Sequence, residues 1–192
     1  MAAGTTHNDS ATTGQLWRTK CNVFAGRDDH YRSIFLFDLA SLPTGAVVTA
    51  ATLTFYCVSK QDGSTGPAAR IATVLTAATP TTGNTDLVNA DYNIANWSAT
   101  ELAARYAYAD ITASATFALT LNAAGLALLT PAAIVKLGCR MSGDLDALAP
   151  GWVTSAITEV QVAFSDYANS ANDPVLSIVW VPKERTRGYI SW

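Results

Sequence analysis

Residues 31–56 read YRSIFLFDLASLPTGAVVTAATLTFY, the most strongly patterned stretch of a 192-residue chain. SIFLFDL (33–39) is a continuous apolar run, the pattern of a strand covered on both faces. SLPTGA (41–46) sets Pro43 and Gly45 at turn positions. In VVTAATLTFYCV (47–58), Ala51, Leu53, Phe55 and Cys57 alternate with Thr52, Thr54 and Tyr56. A period of two predicts an inward apolar face and an outward threonine face. Asp38, the one carboxylate of the stretch, closes the first strand just before the turn, where it can accept from nearby amides.

Working outward, strand signals dominate. LWRTKCNVF (16–24) precedes a turn cluster, AGRDDH (25–30), and QDGSTGP (61–67) reads as a loop leading into a strand at AARIATVLTA (68–77). Residues 78–98 are long, polar and aperiodic, as functional or partner-ordered loops are. SATELAARYA (98–107) predicts about two turns of helix, capped by Ser98 or Thr100 with Glu101 in the first turn. Strands are expected at ATFALTL (115–121), AIVKLGCRM (133–141), VTSAITEVQVAF (153–164) and PVLSIVWVP (174–182), with a helical turn at NAAGLALLTP (122–131). The expected fold is all-β: a jelly-roll β-sandwich of roughly eight or nine strands with one or two short helices. It spans residues 16–182 between an N-terminal arm (1–15) and a C-terminal segment (183–192).

Composition narrows function. Charged residues are 14% of the chain, against ~25% in typical soluble domains, so the polar surface falls to Thr, Ser, Asn and Gly. Such a face suits packing against neighbours. A net charge of −3 lacks the basic stripe that phosphate binding needs, which argues against nucleic acid as a partner. MAAGTTHNDSATTG has neither a basic start nor an apolar core, so it does not read as a signal peptide, and no apolar run suits a membrane helix. The three cysteines, Cys21, Cys57 and Cys139, are far apart and read as free core thiols.

Catalytic patterns are missing. The three glutamates, Glu101, Glu159 and Glu184, sit in no suggestive motif, and of the two histidines His7 lies near the start, leaving His30 without a nucleophile elbow. No catalytic residue and no cofactor are expected. Asp28 and Asp29 in GRDDH, and Asp144 and Asp146 in SGDLDAL, are the carboxylates a calcium ion could use. Neither cluster has the loop spacing of a calcium site, and turn capping is the preferred reading. Tyr92, Trp97 and Trp152 could form a sugar-stacking platform, Trp97 in a loop and Trp152 after a Pro-Gly pair, whereas Trp180 reads as core. The segment KERTRGYISW (183–192) alternates Lys183, Arg185 and Arg187 with polar residues before Tyr189, Ile190 and Trp192. It could add a strand to its own sandwich or dock on a neighbouring subunit.

The opening stretch also resembles the hallmark of DNRLRE-type jelly-roll domains, in which an Arg and an F-x-F-D run precede a Leu-Pro turn and an Ala-x-Leu strand follows. LVNADYNIANW, FALTLNAAGLALL, IVKLGCRMSGD and ANDPVLSIVWVP fall in the order of a branch common in phage and prophage genomes, covering about residues 12–182. The resemblance implies a virion component, such as a capsid decoration, head-fibre or tail-associated protein. Such a protein is assembled in the host cytoplasm, with other virion proteins and copies of itself as partners. It supplies no catalytic motif. The alternative it leaves is a carbohydrate-binding module or adhesin that recognises glycans.

Overall fold

A computed structural model describes residues 12–21, 28–79, 88–148 and 153–183. Over the described residues the fold is all-β and jelly-roll-like, with nine strands paired antiparallel and two short α-helices. The strands are β1 (Thr13–Cys21), β2 (Asp28–Asp38), β3 (Ala46–Gln61), β4 (Thr73–Ala78), β5 (Trp97–Glu101), β6 (Ala115–Thr120), β7 (Ile134–Met141), β8 (Ile157–Ala163) and β9 (Val175–Pro182). The helices are α1 (Ala123–Ala127) and α2 (Ser142–Leu145).

Two long strands organise the sandwich. β2 pairs with β1 through Asp28–Arg32 and with β7 through Ser33–Asp38, so one strand serves both layers. β3 carries β6 along one edge, while β9 and then β8 follow each other along the other. The order runs β5-β4-β7-β2-β1-β8-β3-β6, with β9 attached to β3.

The alternation expected for β3 holds: Ala51, Leu53, Phe55 and Cys57 are buried, and Thr52, Thr54 and Tyr56 are half-buried. Phe35 of β2 meets Phe55 across the interior at a ring separation of 4.9 Å, and Phe117 of β6 meets Phe55 at 5.7 Å. A bulge in β1 between Gln15 and Trp17 turns two consecutive residues inward, so Leu16 and Trp17 are both fully buried. The Trp17 indole N–H donates to Thr73 Oγ1 on β4 at 2.8 Å, which supplies the hydrogen bond a buried indole needs. Asp38 accepts the Ala40 N–H at 2.8 Å, and Gly45 reverses the chain into β3 at φ +82°, a left-handed conformation that favours glycine.

Several expectations are corrected. SIFLFDL is covered unequally on its two faces: Ser33 and Phe35 are buried, whereas Ile34, Leu36 and Phe37 are half-buried. Asp28, Asp29 and His30 open β2 instead of forming a turn, because β1 supplies partners from Lys20 and Cys21 onward. AARIATVLTA begins as a 3-10 turn (Ala68–Ile71) before β4 starts at Thr73. SATELAARYA is no helix. β5 takes its first half, and the isolated bridges Ala103–Leu121 and Tyr106–Thr73 hold the second in extended form. Leu102 and Ala103 thereby reach the core, and that burial outweighs a weak helix propensity. β1 starts inside the segment assigned to the N-terminal arm. Cys57 and Cys139 are buried and free, with thiols pushed up by desolvation; the Cys21 side chain lies outside the described residues.

Candidate functional site

The outer face of β2, β7 and β4 is covered by a second small layer, and most of the described candidate residues meet there. α2 follows β7 directly. Its Ser142 Oγ donates to Ala69 O at 2.7 Å and accepts from Ala72 N at 3.0 Å, which pins the helix over the 3-10 turn. That position brings Asp144 to Arg32 of β2. Arg32 Nε and Nη2 donate to the two Asp144 oxygens at 2.7 and 2.6 Å, and Nη1 donates to the Tyr92 carbonyl at 2.7 Å. The guanidinium lies over the Tyr92 ring at 4.3 Å. Burial pushes the Tyr92 phenol pKa up.

Arg140 of β7 lies one step beyond the Ser33–Cys139 pair, on the same face as Arg32. Its side chain is 2% exposed, and it donates through Nη2 to Ser98 O at 2.8 Å while Nη1 stands 3.9 Å from Asp144. Its Nε is buried without a hydrogen-bond partner. Desolvation is the main influence on Arg140 and lowers its pKa. Trp97 completes the layer: its indole N–H donates to Asp91 O at 2.9 Å, and its ring packs against Gly138, where a Cβ would overlap it. Asp146, at the C-terminus of α2, is held by Arg105, which also binds Glu101. The Arg105 hydrogen bond lowers the Asp146 pKa.

Two of the sugar-platform candidates therefore play other parts. Trp97 is buried at the start of β5, not exposed in a loop, and Tyr92 carries a guanidinium on its ring. Trp152 lies outside the described residues. Asp144 and Asp146, the calcium candidates of α2, each bind an arginine, and Asp29 is exposed on β2. The Asp28 side chain lies outside the described residues, which hold no group of three or more metal-ligating side chains. The Arg32–Asp144 pair ties helix α2 to strand β2. The arginines of the layer were not anticipated; lone arginines in otherwise apolar strands were the signal available.

A second region is of a different kind. β9 has no charged residue, and among the described residues it pairs only with β3. Val175, Val179 and Val181, with Val47 of β3, face outward, and Val179 is 60% exposed. On the opposite face, Ile178 and Trp180 line a cleft of about 300 Å³ against Phe37, Leu39 and Leu42, with Asp38 among its polar lining residues. Trp180, expected in the core, is 40% exposed because the inward face of β9 runs past the end of the packed interior. Of the assembly candidates, Lys183 is described: its N–H donates to the Gly45 carbonyl at 2.9 Å. Arg185, Arg187, Tyr189 and Trp192 lie outside the described residues. No helix among the described residues is long and apolar enough to cross a membrane. Compared with protein-family models, curated proteins and solved structures, the chain matches none.

Proposed function

We propose that the chain is a non-enzymatic structural protein that assembles with its neighbours through β9, and that the particle it builds or decorates is a bacteriophage virion. The observation that carries the assembly reading is the bare, uncharged β9 ribbon. Exposed edge strands normally carry lysine, proline or a bulge that blocks further pairing. β9 carries no lysine, its prolines stand only at its two ends (Pro174 just before it and Pro182 as its last residue), the bulge in its pairing lies on β3 between Val48 and Ala50, and three of its valines face solvent. A surface of this kind fits strand addition or sheet-face packing by another subunit. The virion setting is supported by the resemblance of residues 31–56, and of the segments that follow, to the phage branch of DNRLRE-type domains.

The test is a paired substitution, Val179→Asp with Val181→Asp, on the outward face. Light scattering across a concentration series is expected to show the parent chain as an oligomer and the variant as a folded monomer with an unchanged unfolding transition. A parent chain that stays monomeric at every concentration and leaves phage particles undecorated overturns the reading. A gene flanked by no virion genes would remove the phage setting while leaving assembly through β9 intact.

A further inference from the structure

Resting on that assembly reading, we propose that the partner of β9 is the β9 of a second copy, paired edge to edge and antiparallel about a two-fold axis at Ile178. The two sandwiches then share one continuous sheet.

The pairing of β3 fixes which groups β9 offers. Ala51 and Cys57 of β3 turn their carbonyls to the β6 side, where Leu121 N and Ser114 N donate to them at 2.9 and 2.8 Å. The alternate positions Ala50, Thr52 and Thr54 therefore serve Val179, Ser177 and Val175 of β9. At the other end of β9 the Lys183 N–H donates to the Gly45 carbonyl, which keeps the same alternation. Odd-numbered positions of β9 thus point at β3, and Leu176, Ile178 and Trp180 turn their N–H and C=O groups to the other edge. Pro174 and Pro182 fall at edge-facing positions too, where a missing N–H breaks no bond to β3. Among the described residues no strand pairs with that edge.

This edge is complementary to itself in one register. With Ile178 opposite its own counterpart, Leu176 of each copy faces Trp180 of the other, and every edge-facing N–H and C=O from Leu176 to Trp180 finds a partner. Pro174 then faces Pro182, so the residues without a donor oppose each other and end the ladder on both sides. Sliding the register one pair step either way sets a proline opposite Leu176 or Trp180 and leaves that residue's carbonyl without a donor. Charge selects the same register. Asp173 and Lys183 bracket the strand, and each stands opposite the other's counterpart, which places an attractive pair at both ends. On the outward face Val175 meets Val181 and Ser177 meets Val179, drawing the solvent-facing valines of two copies into one apolar stripe. A two-fold contact of this kind closes on itself and stops at a dimer.

The test follows the full chain by light scattering, amide exchange and cysteine cross-linking. The parent is expected to be a dimer, with exchange at Leu176, Ile178 and Trp180 slowing as concentration rises while Ser177 and Val179 stay protected throughout. Positions 177 and 179 face each other across the axis as a non-hydrogen-bonded pair, with Cα atoms about 4.5 Å apart. Oxidising a mixture of Ser177→Cys and Val179→Cys chains should therefore give a covalent dimer holding one of each, and neither variant should cross-link alone. Asp173→Lys and Lys183→Asp should each weaken dimerisation by about tenfold, and the double exchange should restore it. A thermal melt of each variant separates lost pairing from lost folding, and the cysteine mixture still decides if a charge variant unfolds. A parent dimer that the aspartate pair at 179 and 181 disrupts, but that neither cross-links nor responds to the charge exchange, overturns edge pairing and leaves assembly through the β9 face standing. A parent monomer whose Leu176, Ile178 and Trp180 amides are protected overturns the second-copy assignment in favour of another part of the same chain. A parent monomer with those amides open to exchange overturns the proposal as well, and decoration of phage particles then decides the assembly reading alone.

Discussion

Behind β2, β7 and β4 the sandwich carries a packed layer in which the side chains of two arginines, one aspartate and Trp97 are buried beside a half-buried Tyr92. Along β9 and the first residues of β3 it carries valines that face solvent. The first region hides what is normally exposed, and the second exposes what is normally hidden. The layer over β7 is paired largely within itself: Arg32 binds both Asp144 oxygens and the Trp97 indole has its acceptor, while Arg140 Nε is left without one. Among the described residues the β9 ribbon pairs along one edge only, with β3, and its valines face solvent.

The contrast can be broken from either side. Asp144→Ala should have the largest effect, because it strands Arg32 and Arg140 without their shared counter-charge. Removing one partner of a buried ion pair typically costs about 3–5 kcal/mol, which urea unfolding would read directly. A loss near zero would mean that other groups neutralise the arginines and that the layer is not organised around Asp144. Gly138→Ala comes next, since the added methyl overlaps the Trp97 ring. Overpacking costs about 1–3 kcal/mol, and a shift of Trp97 fluorescence should accompany the lower melting temperature.

Smaller effects sharpen the picture. Asp146 titrates below the usual carboxylate value because Arg105 donates to it, so its stabilisation is complete above the unfolded pKa of about 3.9 and is lost as pH falls through the lower folded value. Asp146→Asn should therefore flatten the stability profile below about pH 4. It should change stability near neutrality by no more than about 1 kcal/mol, because the Arg105–Asp146 pair is partly solvated. Val179→Ser should be nearly silent in folding, within about 0.5 kcal/mol, since its side chain faces water in the single chain. A larger loss would show that Val179 packs within its own subunit.

Legibility in the sequence followed the range of the forces involved. β3, its turn at Gly45 and the Asp38 cap were readable because alternation and turn chemistry are local. Trp97 and Trp180 were assigned the wrong way round for one reason: the position of a residue in a strand or a loop does not say what lies above it. Trp97 is covered because its ring packs on Gly138 beside the Arg32 guanidinium and its indole is held by Asp91 of the 88–96 turns, whereas Trp180 on β9 is 40% exposed. Residues 98–107 misled in the same way. Their composition favours a helix, but Thr73, Leu75 and Leu121 supply backbone partners at long sequence distance. The arginine–aspartate layer was invisible because Arg32 joins Arg140 and Asp144, which lie close in sequence, only through the pairing of β2 with β7. The bare face of β9 lies in the uncharged run VLSIVWVP, of which the sequence reading assigned only Trp180, on the other face, to the core.

The divided pairing of β2 has a consequence in time. Its first half finds β1 within a short hairpin, whereas Asp38 must wait for Ile134, which follows it by 96 positions. At synthesis rates of about 5–20 residues per second, the apolar run ending at Phe37 stays without its strand partner for roughly 5–20 s. Closure over so long a loop is also the slow kind of event in refolding from denaturant. In pulsed hydrogen exchange, protection at Phe35 and Phe37 should thus arrive together with Leu137, after Arg18 and Thr19 are already protected. Simultaneous protection of all five would mean that the two halves of β2 are captured in one step.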